Sequence, residues 1–505
     1  MRQLTSLDAQ FLALETPRQY GHVGGLAILD PSTAPGGKLE LEDIQLLILE
    51  RLPLVPPFRW RLAEVPFGLD YGYWIDDPNF DLDFHVREIA LPAPGSEAKL
   101  AEQAARIMAR PLDRARPLWE LYLIHGVEHG HVAMLTKIHH SVVDGMSGAE
   151  IMGALLDVEP EGREPPPPRV DPDDREPGDL EMLARGLAGV PRYPLRVLRS
   201  LPSTLPNLDE TPFASLPGVG TVGRIAARAQ DAVGRGERVL GREKLVPPRT
   251  SFNGRISARR RFSFGQLSLG EAKAVKNDHG CTLNDVIVSL CASAVRRWLI
   301  EHAELPEDPL VAQIPVSVRT SDQAGTFGNR IMLMSAPLFT NEPDPALRLQ
   351  RTHEALREMK ERHKALPAQL LQDVNQFIPP AVFARAARAT FALSTSRRGR
   401  PTWNLVISNV PGPQFPLYCA GARLVANYPI SVITDGMGLN ITVMSYCGSL
   451  DFGLVGDPEQ MPDLWALMDW LREALEELKP RRKPRAKRAT KPGAQPAKRK
   501  RPAPT

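Results

Sequence analysis

Long apolar runs are missing from this chain. No stretch of its 505 residues reaches about 18 consecutive apolar residues, so no membrane-spanning helix is expected. The opening Met1-Arg2-Gln3-Leu4-Thr5-Ser6-Leu7-Asp8 lacks a signal-peptide pattern. Cysteine is scarce: Cys281, Cys291, Cys419 and Cys447 form no CxxC pair and suit reduced thiols. A cytoplasmic protein is therefore expected. Acid is absent from residues 479–505, which hold twelve Lys and Arg. Without that tail a net charge of +3 becomes 50 basic against 59 acidic residues, or −9. The body is mildly acidic and the tail strongly basic, so no specific nucleic-acid partner is expected. A GxSxG nucleophile elbow is missing too, since Ser147 lies in Gly145-Met146-Ser147-Gly148-Ala149. So is regular βαβα alternation. The formal GxGxxG at Gly218-Val219-Gly220-Thr221-Val222-Gly223 follows a Pro-rich stretch rather than a strand, and is not read as a dinucleotide site.

What remains is a chain 43% hydrophobic, able to bury a sizeable core and long enough for more than one domain. Apolar spacing predicts helices over 40–51, 97–109, 269–278, 286–300, 346–366 and 463–478. Alternation predicts strands over 22–29, 58–62, 71–75, 116–124, 132–138, 403–408, 424–433 and 439–446, with Asp435-Gly436 as a turn signal between the last two. Residues 159–178, around Pro165-Pro166-Pro167-Pro168, read as a linker or mobile loop. The amphipathic stretches 180–187 and 222–239 suit packing against the protein or resting on a lipid surface, and packing is the expectation. The pattern points to two related α/β domains with mixed sheets.

The chain's most reactive stretch is Lys137-Ile138-His139-His140-Ser141-Val142-Val143-Asp144-Gly145. It lies where a strand gives way to a loop, at the end of an expected hairpin between 116–124 and 132–138. A neutral imidazole there can take a proton from a hydroxyl and return it to a leaving group. A metal pair or an ordinary loop are the other readings. Metal binding is the weaker, because adjacent histidines point apart in an extended chain and no third ligand is near in sequence.

His139-His140-Ser141-Val142-Val143-Asp144-Gly145 matches the HHxxxDG signature of the CoA-dependent acyltransferase superfamily. A longer ordered set resembles the bacterial wax ester synthase/diacylglycerol acyltransferase family. It comprises Leu7-Asp8-Ala9-Gln10-Phe11-Leu12, His22-Val23-Gly24-Gly25-Leu26, Arg116-Pro117-Leu118-Trp119-Glu120, Leu283-Asn284-Asp285-Val286, Pro315-Val316-Ser317-Val318-Arg319, Gly328-Asn329-Arg330 and Ser408-Asn409-Val410-Pro411-Gly412-Pro413. The set runs over nearly all of residues 4–456. The Pro-rich segment and the basic tail depart from the family pattern.

The resemblance implies an α/β fold of two chloramphenicol-acetyltransferase-like domains with mixed sheets, joined by a helical crossover, and an active-site tunnel between them. The corresponding division is 1–158 for the N-terminal domain, 159–249 for the linker and crossover, 250–478 for the C-terminal domain and 479–505 for a disordered tail. It also implies direct transfer of a long-chain acyl group from acyl-CoA to diacylglycerol or a long-chain alcohol, with His140 as general base. Asp144 is expected to anchor the loop through an arginine, with Arg319 as one choice, and His139 to support it. Gly145 gives the chain room to turn. Asn284, in the Asn-Asp motif with Asp285, lines the tunnel or caps its helix, and Ser408 and Asn409 contribute polar donors near the site. No metal or cofactor is expected, acyl-CoA being a substrate. The tail is expected to bring the protein to the inner membrane or to lipid droplets. Two competing readings are a condensation-like enzyme using a carrier-bound donor, and a non-catalytic lipid-surface protein of the same fold.

Overall fold

The segment before the histidine pair is buried on both faces, which makes it a central strand rather than an edge. In the computed structural model, residues 1–143, 148–164, 177–189, 245–317, 331–364 and 399–479 are described, with isolated positions between 385 and 396. The stretches 218–223, 222–239 and 318–330, most of 365–398, and the tail beyond 479 lie outside the described residues. So do Asp144, Gly145 and Arg319.

Three sheets organise the described chain. A small one joins β1 (Arg2–Gln3), β4 (Tyr73–Asp76) and β3 (Trp60–Ala63) in that order. The N-terminal six-stranded sheet contains β2 (His22–Asp30), β5 (Val86–Ala90), β6 (Trp119–His125) and β7 (Val132–His139). It is completed by β12 (Tyr418–Cys419) and β13 (Ala422–Ile430), in the order β12-β13-β2-β7-β6-β5. The C-terminal sheet runs β10-β9-β11-β14-β15-β8. Its strands are β8 (Arg261–Ser268), β9 (Val311–Ser317), β10 (Ile331–Pro337), β11 (Leu405–Pro411), β14 (Leu439–Tyr446) and β15 (Ser449–Gly456). Both large sheets are mixed: β5 runs parallel to β6, and β11 runs parallel to β9 and β14.

The expected hairpin is present. β6 pairs antiparallel with β7, and on its other side β7 pairs with β2, setting His22 opposite His139. Only Thr136 of β7 is half-exposed; the rest is buried. Lys137 is fully buried and is accommodated by Glu120 Oε2 at 3.3 Å, the same oxygen that accepts the Tyr122 hydroxyl at 3.0 Å. The Arg116-Pro117-Leu118-Trp119-Glu120 segment is thus a packing element. Trp119 is 1% exposed and donates its indole N–H to the Phe58 carbonyl at 2.8 Å.

Among the described residues, the sheets depart from the sequence division around residues 418–430. Asp435-Gly436 does form a turn, with Thr434 and Met437 bridged across it. The strands either side of it are not a hairpin: β13 lies in the N-terminal sheet beside β2, and β14 in the C-terminal sheet. Residues 418–430 therefore cross out of the C-terminal half. The crossing is tied back where Asn427 N–H donates to Asp451 Oδ2 at 2.8 Å and Tyr428 packs on Phe264 at 4.4 Å.

Helices fill the faces. The helix Glu97–Met108 turns Leu100, Ala101, Ala104, Ala105, Ile107 and Met108 inward, and Phe262, Phe264 and Tyr428 share its core. The helix Leu283–Glu301 starts in a capping box, with Thr282 as N-cap and Asp285 closing it. It packs with the helix Leu464–Leu478 in the C-terminal core. The helix Asp179–Gly189 lies against residues 65–70. A Cβ on its Gly186 would meet Val65 at 2.6 Å, and Leu180 and Leu187 face outward. Among the described residues no helix is long and apolar enough to cross a membrane.

Candidate active site

The chain leaves β7 at His139 and turns at once into a short helix, His140–Val143. That change of backbone separates the two imidazoles. His139 keeps the inward direction of its strand and is 1% exposed. His140 is half-buried and turns away, its ring stacked on Phe11 with centroids 4.0 Å apart and planes 17° from parallel. Its backbone N–H donates to the Gly21 carbonyl at 2.8 Å. Its Nδ1 is enclosed, without a hydrogen-bond partner among the described residues.

Burial holds the His140 pKa down at about 4, with His139 alongside adding to the depression. The residue's own backbone works weakly in the opposite sense. The ring is therefore neutral at pH 7.

His139 is enclosed by its neighbours. The Ser141 amide donates to Nδ1 at 3.2 Å, and Ser141 Oγ lies 2.6 Å from the same atom. An amide can only donate, so Nδ1 is unprotonated and the proton sits on Nε2. That nitrogen faces Glu15 Oε1 at 3.3 Å, within range of its charge but off the line of a hydrogen bond. Ser, His and Glu in this order have the composition of a hydrolytic triad. Ser141, however, is only 3% exposed and its hydroxyl lies against the imidazole of its own loop, so it presents no nucleophile to solvent. Gly21 is needed for this packing, since a Cβ there would stand 2.6 Å from His139 Nε2.

In the C-terminal half, Asn409 on β11 donates from Nδ2 to Asn284 Oδ1 at 3.3 Å. The residue beside Asn284 serves the fold: Asp285 is buried, its Oδ2 accepting the Thr282 amide at 2.8 Å and lying 2.7 Å from His353 Nδ1. Thr282, not Asn284, is the helix cap, which leaves the Asn284 amide for Asn409. Ser408 is half-exposed opposite Thr442. The structure thus forms two groups, His139 and His140 with Phe11, Glu15, Gly21 and Ser141, and Asn284 with Asn409. No described contact joins them. A surface cleft of about 630 Å³ lined by His279, Cys281 and His353 contains none of these residues except through the Asp285–His353 pair, and is not the site. Among the described residues no three His, Cys, Asp or Glu side chains are placed to hold a metal ion.

Glu15 was not among the residues singled out in the sequence. Its local signal is faint: a carboxylate just past a capped helix and before Pro17. Only the pairing of His22 with His139 brings it to the motif.

Both halves of the chain match known proteins. The family model described as the wax ester synthase/diacylglycerol acyltransferase catalytic domain matches residues 4–287, and the WS/DGAT C-terminal domain matches 327–479. A Mycobacterium tuberculosis protein assigned as a diacylglycerol O-acyltransferase is 38% identical over 480 residues, covering 95% of this chain and 90% of its own. The structure of a wax ester synthase/diacylglycerol acyltransferase from Marinobacter aquaeolei VT8 aligns with a TM-score of 0.66 and 30% identity, over 95% of this chain and 98% of that one. The first condensation domain of the CDA synthetase aligns with a TM-score of 0.52 at 15% identity, over 95% and 96%, and shows the two-domain α/β fold alone. An acyltransferase of this kind requires an acyl donor and an acyl acceptor. From matches spanning both halves, the chain belongs to the wax ester synthase/diacylglycerol acyltransferase family.

Proposed function

We propose that this enzyme transfers a long-chain acyl group from acyl-CoA to the hydroxyl of diacylglycerol or of a long-chain alcohol, with His140 as general base. The observation that carries the reading is the half-buried, neutral His140 ring held on Phe11 at the end of β7. With Nδ1 enclosed, Nε2 is the nitrogen left to meet a substrate hydroxyl. It takes the hydroxyl proton as the oxygen attacks the thioester carbonyl. The tetrahedral oxyanion needs N–H donors, and the amides of Asn284 and Asn409 are the candidates. As the intermediate collapses, the C–S bond breaks and the imidazolium returns its proton to the sulfur. The acyl group goes directly to the acceptor, in keeping with the buried position of Ser141.

The test is a purified, full-length enzyme given labelled palmitoyl-CoA with diacylglycerol, hexadecanol or no acceptor, with free CoA followed. Release of CoA that requires an acceptor is the expected result. Folded enzyme with no turnover on either acceptor sinks the reading.

The same reading includes peripheral contact with anionic lipid surfaces through the basic tail, where the apolar substrates reside. Lys479, the last described residue, lies with its Nζ 2.7 Å from Glu271 Oε1. Deleting residues 480–505 is expected to weaken binding to phosphatidylglycerol-containing vesicles at low salt. Unchanged binding counts against the tail as the lipid-facing element.

A further inference from the structure

One carboxylate underlies the whole histidine turn. Glu15 Oε1 accepts the Gly21 amide at 2.8 Å and faces His139 Nε2 at 3.3 Å, while Oε2 accepts from Arg114 Nη2 at 2.9 Å. Gly21 then accepts the His140 amide at 2.8 Å through its carbonyl. Glu15 therefore holds the side chain of His139 directly and the backbone of His140 through one residue. Phe11, one helical turn earlier, sets the ring of His140. A surface ion pair with Arg114 alone would contribute little. Here the Glu15 side chain is 17% exposed and joins three separate segments of chain.

We propose that Glu15 is a positioning residue for acyl transfer, fixing the His139–His140 turn so that the His140 ring keeps its place against Phe11. This rests on the reading of His140 as the base. Among the described residues, the charged and titratable groups facing His139 are Glu15 itself, His22 from the paired strand, Lys137 and His140 from its own segment, and Arg114 behind the carboxylate. Burial alone would raise the Glu15 carboxyl, but His139, the Gly21 amide and Arg114 together hold it down at about 2. It is an anion throughout the working range, so its role is not to exchange protons. The negative charge is needed because it faces His139 Nε2 at 3.3 Å through charge alone, while the Gly21 amide and Arg114 donate hydrogen bonds to it.

The experiment compares wild type, Glu15→Gln, Glu15→Asp and His140→Ala in the full-length enzyme, with palmitoyl-CoA and the preferred acceptor. Glu15→Gln keeps an acceptor for Gly21 but loses the charge; Glu15→Asp keeps the charge but withdraws it by one methylene. Both are expected to lower kcat by about 10- to 100-fold, the scale of a misplaced catalytic group. KM for acyl-CoA should stay within about two-fold, because an interaction that orients the base acts on the transition state. A residue that only stabilised the fold would lower Tm and the active fraction while leaving kcat per active molecule unchanged, and that result overturns the proposal. So does wild-type kcat in either folded Glu15 variant while His140→Ala is inactive. If His140→Ala keeps wild-type activity, the reading of the base fails first, and this proposal with it.

Discussion

Replacing His140 with alanine should remove nearly all acceptor-dependent CoA release, lowering kcat by about 10²–10⁴-fold, the usual contribution of a positioned acid–base group. Donor binding should survive, because the ring is a half-exposed contact of Phe11 rather than a core group. Thermal unfolding and acyl-CoA binding, measured beside turnover, separate lost chemistry from lost fold. Near-normal kcat in His140→Ala would count against a base at this position. The same histidine sets an expected pH profile. Burial first, and His139 next to it, bring its pKa from 6.5 to about 4. The acid limb of kcat/KM, which reports the free enzyme, should therefore fall near pH 4, not near 6.5. An acid limb at 6.5 would mean that the titrating base lies in a far wetter place.

The stability linkage has the same sign. His140 has a folded pKa below its unfolded value, so the folded chain binds fewer protons between about pH 4 and 6.5. This contribution is fully present above pH 6.5 and is lost as pH falls toward 4. His22 behaves alike, its pKa lowered to about 3 mainly by burial, with Lys137 adding to it. Glu15, lowered from 4.5 to about 2, contributes above pH 4.5 and loses that contribution as pH falls toward 2. Acid therefore weakens the fold through the same segments that form the site. Activity returning on dilution to pH 7 distinguishes simple protonation from unfolding.

The largest stability effect is expected at a residue far from the chemistry. Asp157→Ala should destabilise the protein by about 3–5 kcal/mol, the scale for stranding one member of a buried ion pair. The Arg51 side chain is 1% exposed, and its Nη2 donates to both carboxylate oxygens of Asp157, at 3.1 and 3.2 Å. Arg163 adds its Nε at 3.1 Å. Nε and Nη1 of Arg51 have no partner among the described residues, so Asp157 alone answers a charge already poorly hydrated. The Asp157 backbone also exchanges two hydrogen bonds of 2.8 Å with Tyr418, at the end of the strand pair that crosses between halves. A lower urea midpoint at unchanged slope checks the expectation, and kcat per folded molecule should hold. A loss under about 1 kcal/mol would show that the Arg51 guanidinium finds water when its partner is gone. Replacing both partners together, as Arg51→Met with Asp157→Leu, should cost far less than Asp157→Ala alone.

Local rules made much of the fold legible. β6 and β7 carry alternating and continuous apolar residues on either side of a glycine-bounded turn, and they pair as expected. Thr282 starts its helix because its hydroxyl accepts the Asp285 amide, a contact spanning three residues. The segment 58–62 was less legible: Pro56 and Pro57 hold a 3-10 turn over Pro56–Arg59, and the strand begins only at Trp60. The Asp435-Gly436 signal marks a turn that the structure contains, yet it says nothing about which sheet each flanking strand joins. That choice belongs to β2, whose residues 24–30 offer β13 a full register of backbone partners some 400 residues away in sequence.

The sequence by itself determined the candidate histidine pair and its neighbourhood in the chain. Adjacent histidines at the end of a buried strand can be read from spacing, because strand and turn preferences act over a few residues. The tertiary structure decided what the two histidines do differently. The backbone turns from strand to helix between them, leaving His139 enclosed against Glu15 and Ser141 and His140 half-buried on Phe11. Glu15 and His139 lie 124 positions apart in sequence, and no periodicity links such a pair. They meet only because β2 and β7 align in register and Gly21 has no side chain to keep them apart.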